Sequence, residues 1–600
     1  MVRILKIIFA VFGGLLLLFA SAQALTVDTL MAKSAQPIPS VDLPTATPIS
    51  VANLPNIDDL PLQDNLAVYQ FDNPGSVVTM YLTVRKGNES DNSDFTWTEV
   101  NSFTKWIVAH DNQIVTVGKT DAILQVGDEN GPLPGEFGYG ALVPNATVQI
   151  RGASTSQEPQ KSFKIEIKKG EGDWRGQRTI ALNKHIFDPS RIRNKLNFDL
   201  LKQIPDIVSL RTQFVHLYVK DESTNPWKTS FEDYGLFTQV ELPNTTYLKV
   251  HKLDPYGQLY KPIFFEFNRY PDQVRLVDDP QFNVDSFSTI IENKGNQDNS
   301  KLIQMLDDVN NYDIPISTSF EKYFNADNYF TWMAYNILVG SVDTNTQNFY
   351  LYSPHNSTKF YFFPWDYDDA FFRSDREQCC RYAPYIAYDY GVANYWGVRL
   401  TNRLLRIPEY RSLLDSKVQR LRSFLTPERI QNMLAAYKPI AEKYALQLPD
   451  SLLFPTTKQG MEHDFEVIPM EVEVNYNLYL ESLKSPMPFF LDTPKIENNL
   501  LKFSWGESYD FNGEDIVYRF MISTDPSFDK PALVVNESLL NGTEFELSPL
   551  KPGIYFWRVV ATNTSGKSQL AFDTLPDAGG ALISGIKGFE ITADGKVVEK

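Results

Sequence analysis

Between residues 66 and 300 the chain reads as strands. VVTMYLTV, ATVQIRG, KSFKIEI, FVHLYV and YGLFTQVEL are short, rich in β-branched and aromatic residues, and largely alternate apolar with polar. One helical pattern interrupts them. FDPSRIRNKLNFDLLKQI offers Asp188 as N-cap and Pro189 at N1, with Ile192, Leu196, Leu200 and Ile204 along one face. After residue 300 the period lengthens. FEKYFNADNYFTWMAYNILVG places Phe330, Met333, Ala334, Ile337 and Leu338 at helical spacing, and Thr426-Pro427 opens another helix. Near residue 500 alternation returns in LKFSW, YRFMI and GIYFWRVVA, where Tyr555, Trp557, Val559 and Ala561 share one face.

Composition narrows the classes. The 600 residues include 40 Phe, 30 Tyr and 9 Trp, enough for several packed domains. A net charge of −18 argues against nucleic acid or an anionic membrane as the main partner, since both need a cationic face. Residues 1–24 have Arg3 and Lys6, an apolar run and the ending Ala22-Gln23-Ala24, the pattern of a signal peptide. An uncleaved anchor is the alternative, and no later stretch is apolar for long enough to span a bilayer. Residues 25–65 are Pro-rich and read as an extended linker. The only cysteines, Cys379 and Cys380, are neighbours and are expected to be two unlinked thiols.

The candidate chemistry centres on FFPWDYDDAFF, residues 362–372, where Asp366, Asp368 and Asp369 sit between apolar pairs. The residues before it, NFYLYSPHNSTKFYFF, read as a hairpin, which returns Asp366 to whatever precedes Phe349. That segment is SVDTNTQN, with Asp343 and Asn348 five apart, the D-x-x-x-x-N spacing of a kinase catalytic loop. Oxygen ligands of this type suit a hard cation; the alternative is a set of Asp/Asn turns. A calcium loop starting at Asp343 lacks the required glycine and carries Pro354 at its twelfth position.

A second group lies in VQIRGASTSQEPQKSFKIEIK. By strand parity Lys161 joins the inward side with Phe163, Ile165 and Ile167. It either meets an anion there or snorkels to the strand's end.

These segments, IRGAST…QKSFKIEI, DPSRIRNKLNFDLL, YGLFTQVE, SVDTNTQNFYLY and FYFFPWDYDDAFF, resemble in order the motifs of the CotH kinase family over residues 66–485. Its members are exported or spore-coat proteins with an atypical protein-kinase-like fold. The resemblance implies ATP with Mg2+ or Mn2+, and phosphoryl transfer to Ser/Thr of proteins. Asp343 would be the base or the substrate-orienting acid, Asn348 and Asp366 the metal ligands, and Asp368 a helper. Lys161 would hold phosphates, and Glu241 would lie near the adenine unless it is a strand-edge charge. Arg151 and Arg193 would assist with phosphate or form structural ion pairs. No G-x-G-x-x-G loop is present, and the 188–204 helix offers only Asp199 as a partner for the lysine.

The expected class is α+β: a two-lobed protein-kinase-like domain, with a β-rich N-lobe and a helical C-lobe, followed by a β-sandwich. The sandwich, at 490–585, looks like a fibronectin type III domain with Trp505 in its core, and 586–600 reads as a tail. The expected function is that of an exported kinase acting on envelope or surface proteins. The alternative is a non-catalytic adhesion protein on the same scaffold. A hydrolase using these acids lacks a nucleophile with a nearby histidine, since none of the six His falls in the motifs.

Overall fold

Alternation in the first third closes into a sheet. In the computed structural model, which describes residues 62–104, 117–374, 388–576 and 582–600, eight strands form this sheet: β1 (Val77–Arg85), β2 (Thr120–Asp128), β3 (Gly131–Pro132), β4 (Ala146–Arg151), β5 (Ser162–Ile167), β6 (Thr179–Asn183), β7 (Thr212–Asp221) and β8 (Glu232–Glu241). Their order is β1-β7-β8-β6-β5-β4-β2-β3, and β1 also pairs with β2, so seven strands close on themselves. Only β1 and β7 run parallel. Closure removes the exposed edges of those seven strands. Every second residue points inside: Met80, Leu82, Leu124, Val148, Ile165, Leu182, Leu217 and Phe237 are all buried there. Each contributes roughly 1.5–3 kcal/mol of transfer free energy.

The outer face of this sheet packs on the helical part. Phe214, Leu236 and Val240 belong to the core that contains the Arg193–Leu201 helix and the aromatic helix Ala326–Val339. All nine residues of Arg193–Leu201 are buried. Its start differs from the sequence expectation: the helix begins at Arg193, and Asp188 instead accepts from Ser190 and Arg193 before it. Asp188 is recruited by a buried arginine, which outweighs an ordinary cap. A second sheet, ordered β10-β9-β11-β12, comprises β9 (Gln258–Pro262), β10 (Ile291–Asn293), β11 (Phe349–Ser353) and β12 (Tyr361–Pro364).

Beyond residue 490 a three-stranded and a larger sheet share one core, in which Phe503 and Trp505 meet Phe520 and Trp557. Strands Lys587–Ile591 and Val597–Glu599 extend the larger sheet, so residues 586–600 are not a tail. Five alternating residues between Gly-containing turns are too short a signal to separate a strand from a loop. The linker expectation is corrected at its end as well: Asp64 and Asn65 bond to His251 and to the Val250 carbonyl of the domain. The expected signal peptide, the linker to residue 61 and both cysteines lie outside the described residues.

Candidate functional site

The Ala326–Val339 helix ends at Gly340, whose φ of 68° only glycine adopts without cost. Ser341 N–H donates to Asn336 O and Gly340 N–H to Ile337 O, a Schellman closure that turns the chain sharply. Asp343 follows in the short turn Val342–Thr344, anchored by Thr344 Oγ1 to Ser341 O at 2.8 Å. The next strand starts after Asn348, itself at φ 56°. Register then does the rest: Phe349 pairs with Pro364, so Asn348 and Trp365 lie opposite one another just outside the ladder, with Asp366 next. Phe371 N–H donates to Val339 O at 2.7 Å and ties the acidic loop back to the helix end. Phe362, Phe363, Phe371 and Phe372 are all buried, so the apolar pairs are core and the acids between them face a common site.

Four carboxylates share that site. Burial, then Asp369, Asp366 and Asp368, hold the Asp343 carboxyl well above the usual range, although Asn348 Nδ2 donates to its Oδ2. Asp343 Oδ1 is buried with no hydrogen-bond partner among the described residues. Asp366 is pushed up to about 6 by burial and Asp368, against Arg151, His185 and Lys261. Ser341 Oγ reaches Asp369 at 3.3 Å, and Asn194 Nδ2 reaches Asp366 at 3.4 Å. Like charges crowded around an unsatisfied oxygen are what a cation would relieve. Among the described residues no three His, Cys, Asp or Glu side chains converge as a ready-made metal cage. One Asn and one Asp, completed by phosphate oxygens and water, form a donor set that fits Mg2+.

Asp343, Asn348, Asp366 and Asp368 are therefore brought together, and Arg151 joins them. Asp366 and Asp368 act on its guanidinium, which burial holds below its usual range. The remaining expected residues are placed elsewhere. Lys161 Nζ donates to Ser156 O at 2.6 Å, and its charged neighbour is Glu158. Glu241 is enclosed: Arg211 N–H donates at 3.1 Å, the Arg211 guanidinium pairs with its other oxygen, and His251 Nε2 lies at 3.1 Å. Both its oxygens are taken by a buried ion pair, and β8 lies between β7 and β6, so Glu241 is neither open to an adenine nor the strand-edge charge that was the alternative. Arg193 is likewise a structural ion pair, bonding Asp188 at 2.6 Å and Asp464 at 2.7 Å. Asp199 binds Lys195, Lys202 and the Tyr437 hydroxyl, and pairs with no lysine of the site.

Three residues were not visible as site residues in the sequence. His185, at φ 48°, places Nδ1 3.8 Å from Asp368, so one histidine does reach the acids. Its signal was drowned because NKHIF carries no spacing motif. Asn194 sits in the buried Arg193–Leu201 helix, on no face that the apolar spacing singled out. Lys261 lies on β9, far from every motif.

The fold and the site together define a mixed α+β protein with an acidic centre assembled from a helix end and a hairpin. Residues 148–476 match the family described as CotH kinase protein, and the chain belongs to that family. Over 341 residues it is 24% identical to the inner spore coat protein H of Bacillus subtilis (strain 168), covering 56% of this chain and 85% of that protein. Strands β1 and β2, which close the sheet, lie outside the matched segment. No helix among the described residues is long and apolar enough to cross a membrane.

Proposed function

We propose that this chain is an exported, two-lobed kinase-like phosphotransferase that moves the γ-phosphate of ATP to Ser/Thr hydroxyls of envelope or surface proteins. The observation that carries this reading is the convergence of Asp343 and Asn348 with Asp366 beside the cation Arg151. Family membership and the spore-coat relative support it. Asn348 and Asp366 would hold Mg2+ or Mn2+. That cation, when bound, would neutralise phosphate charge and offset the burial and carboxylate repulsion that raise the Asp343 carboxyl. Asp343 orients the attacking hydroxyl and accepts its proton at Oδ1. The hydroxyl oxygen bonds phosphorus as the bond to the bridging oxygen breaks, and ADP leaves with that electron pair. For the C-terminal sheets a fibronectin type III identity is supported by Tyr555, whose hydroxyl donates to Lys551 O at 3.0 Å like a tyrosine corner.

Thermal unfolding of the mature protein with ATP, with and without Mg2+ or Mn2+, tests the site. Saturating ligand, at about 100 times its Kd, adds roughly 2.7 kcal/mol and raises the midpoint by a few degrees. Asp366→Asn is expected to lose the metal-dependent part of that rise. No rise with either metal would overturn the kinase reading and leave a binding scaffold.

A further inference from the structure

Trp365, the residue before Asp366, has two cations held against its ring. The Arg151 guanidinium carbon lies 5.9 Å from the ring centroid and Lys261 Nζ lies 5.7 Å away. The edge of Tyr350 braces the same ring at 5.3 Å. The two cations come from different sheets: Arg151 ends β4, whereas Lys261 is fixed on β9 opposite Glu292 of β10. Neither side chain makes a hydrogen bond or a close ion pair with another described residue. The nearest carboxylates are committed elsewhere. Glu292 is paired with Lys294 at 2.9 Å, and Asp366 belongs to the acidic cluster.

Both side chains are half-buried, so two cations with no hydrogen-bonded anion stand together at the edge of solvent, where a bound anion would pair with them. The occupant must tolerate the carboxylates beside it. A bare anion would be repelled; an anion that arrives with a divalent cation would not. A metal-bound polyphosphate satisfies both sides at once, its oxygens meeting the cations and its metal meeting Asp366. Burial holds both cations below their usual ranges, and neighbouring carboxylates do not restore them.

We propose that Lys261 and Arg151, both held against the ring of Trp365, clamp the terminal phosphates of a nucleoside polyphosphate, the role the family resemblance implies for Lys161. This rests on the phosphotransferase reading above. It differs in assigning the grip to β9, and the Lys161 hydrogen bond to Ser156 O explains why that lysine is spent locally.

Calorimetric titration with ATP, adenosine and inorganic pyrophosphate, all with Mg2+, tests it on the mature wild type, Lys261→Met, Lys261→Arg and Lys161→Met. Lys261→Met is expected to weaken ATP and pyrophosphate by roughly ten- to a hundredfold, the loss of one charge-assisted contact, and to leave adenosine unchanged. Lys261→Arg is expected to recover most of that loss, and Lys161→Met to cost less than about twofold. ATP and pyrophosphate binding unchanged in Lys261→Met, or a loss carried by Lys161→Met, overturns the clamp while sparing the kinase reading. Lys261-dependent pyrophosphate binding with no added affinity for ATP supports the clamp and sinks the nucleotide reading. Binding of neither ligand overturns both. Where Lys261→Met does not fold, acylation of the wild type read by mass spectrometry serves instead. Protection of Lys261 by Mg-pyrophosphate supports the clamp, and unchanged labelling overturns it.

Discussion

Asp343 and Glu241 are both acids withdrawn from water, and their surroundings drive them in opposite directions. Asp343 meets other carboxylates and is held high, whereas Glu241 is brought down to about 2 because His251 and Arg211 overcome the cost of its burial. The same pairing, with Asp64 at 2.6 Å, lifts His251 to about 9 against its own burial. Glu241 therefore stabilises the fold fully above its usual 4.5, and loses that contribution as pH falls toward 2. His251 contributes fully below its usual 6.5, and the contribution is lost as pH rises through 9. Shifts of this size correspond to on the order of 3 kcal/mol. The unfolding midpoint should thus fall between pH 7 and 10, and that alkaline slope should flatten in His251→Gln; an unchanged slope would show that the pair contributes little. At this scale the sequence showed which acids exist. It did not show which were satisfied, because Arg211 is brought to Glu241 by strand pairing and His251 by the end of the Thr245–Val250 helix that follows it.

The helix Ala326–Val339 and the hairpin after it were legible from period and turn residues, since both are stabilised by neighbours within a few positions. So was the Thr426 cap, whose side chain accepts from Arg429 N–H at 3.2 Å. The Arg193–Leu201 helix was visible, but its first residue was not, because Asp188 bonds the backbone and guanidinium of Arg193 five residues on. Gly340 is the joint between the helix and the turn that carries Asp343. A Cβ there would lie 2.7 Å from Asn475 Nδ2 in a backbone region that L residues avoid. Gly340→Ala is expected to cost about 1–2 kcal/mol or more and to displace Asp343. Chemical denaturation reads the first effect and loss of the ATP-dependent midpoint rise the second. A variant with wild-type stability and binding would show that the turn relaxes around the extra carbon.

At the scale of the whole molecule the sandwich is fastened to the helical part by aromatic contacts. Trp396 stacks on Tyr509 at 5.3 Å, Arg406 lies 4.6 Å from the same ring, and the Tyr388 hydroxyl donates to Phe572 O at 2.8 Å. Trp396 is buried. Calorimetry should show the two parts unfolding together, and truncation after residue 486 should lower the midpoint of what remains. Two separate transitions, with the larger unmoved by truncation, would refute the coupling. The sequence by itself determined the succession of strands, helices and strands, the amphipathic faces, and the D-x-x-x-x-N and W-D-Y-D motifs. Each of these is written in periods of two or 3.6 residues or in turn chemistry a few residues long. Tertiary structure alone decided that the first sheet closes through β1 and β2, that Lys161 points to a local carbonyl, and that Lys261 and His185 stand beside the acids. Sheet closure and the placing of Lys261 and His185 depend on residues scores of positions apart packing together, and no local pattern records which charge will meet which.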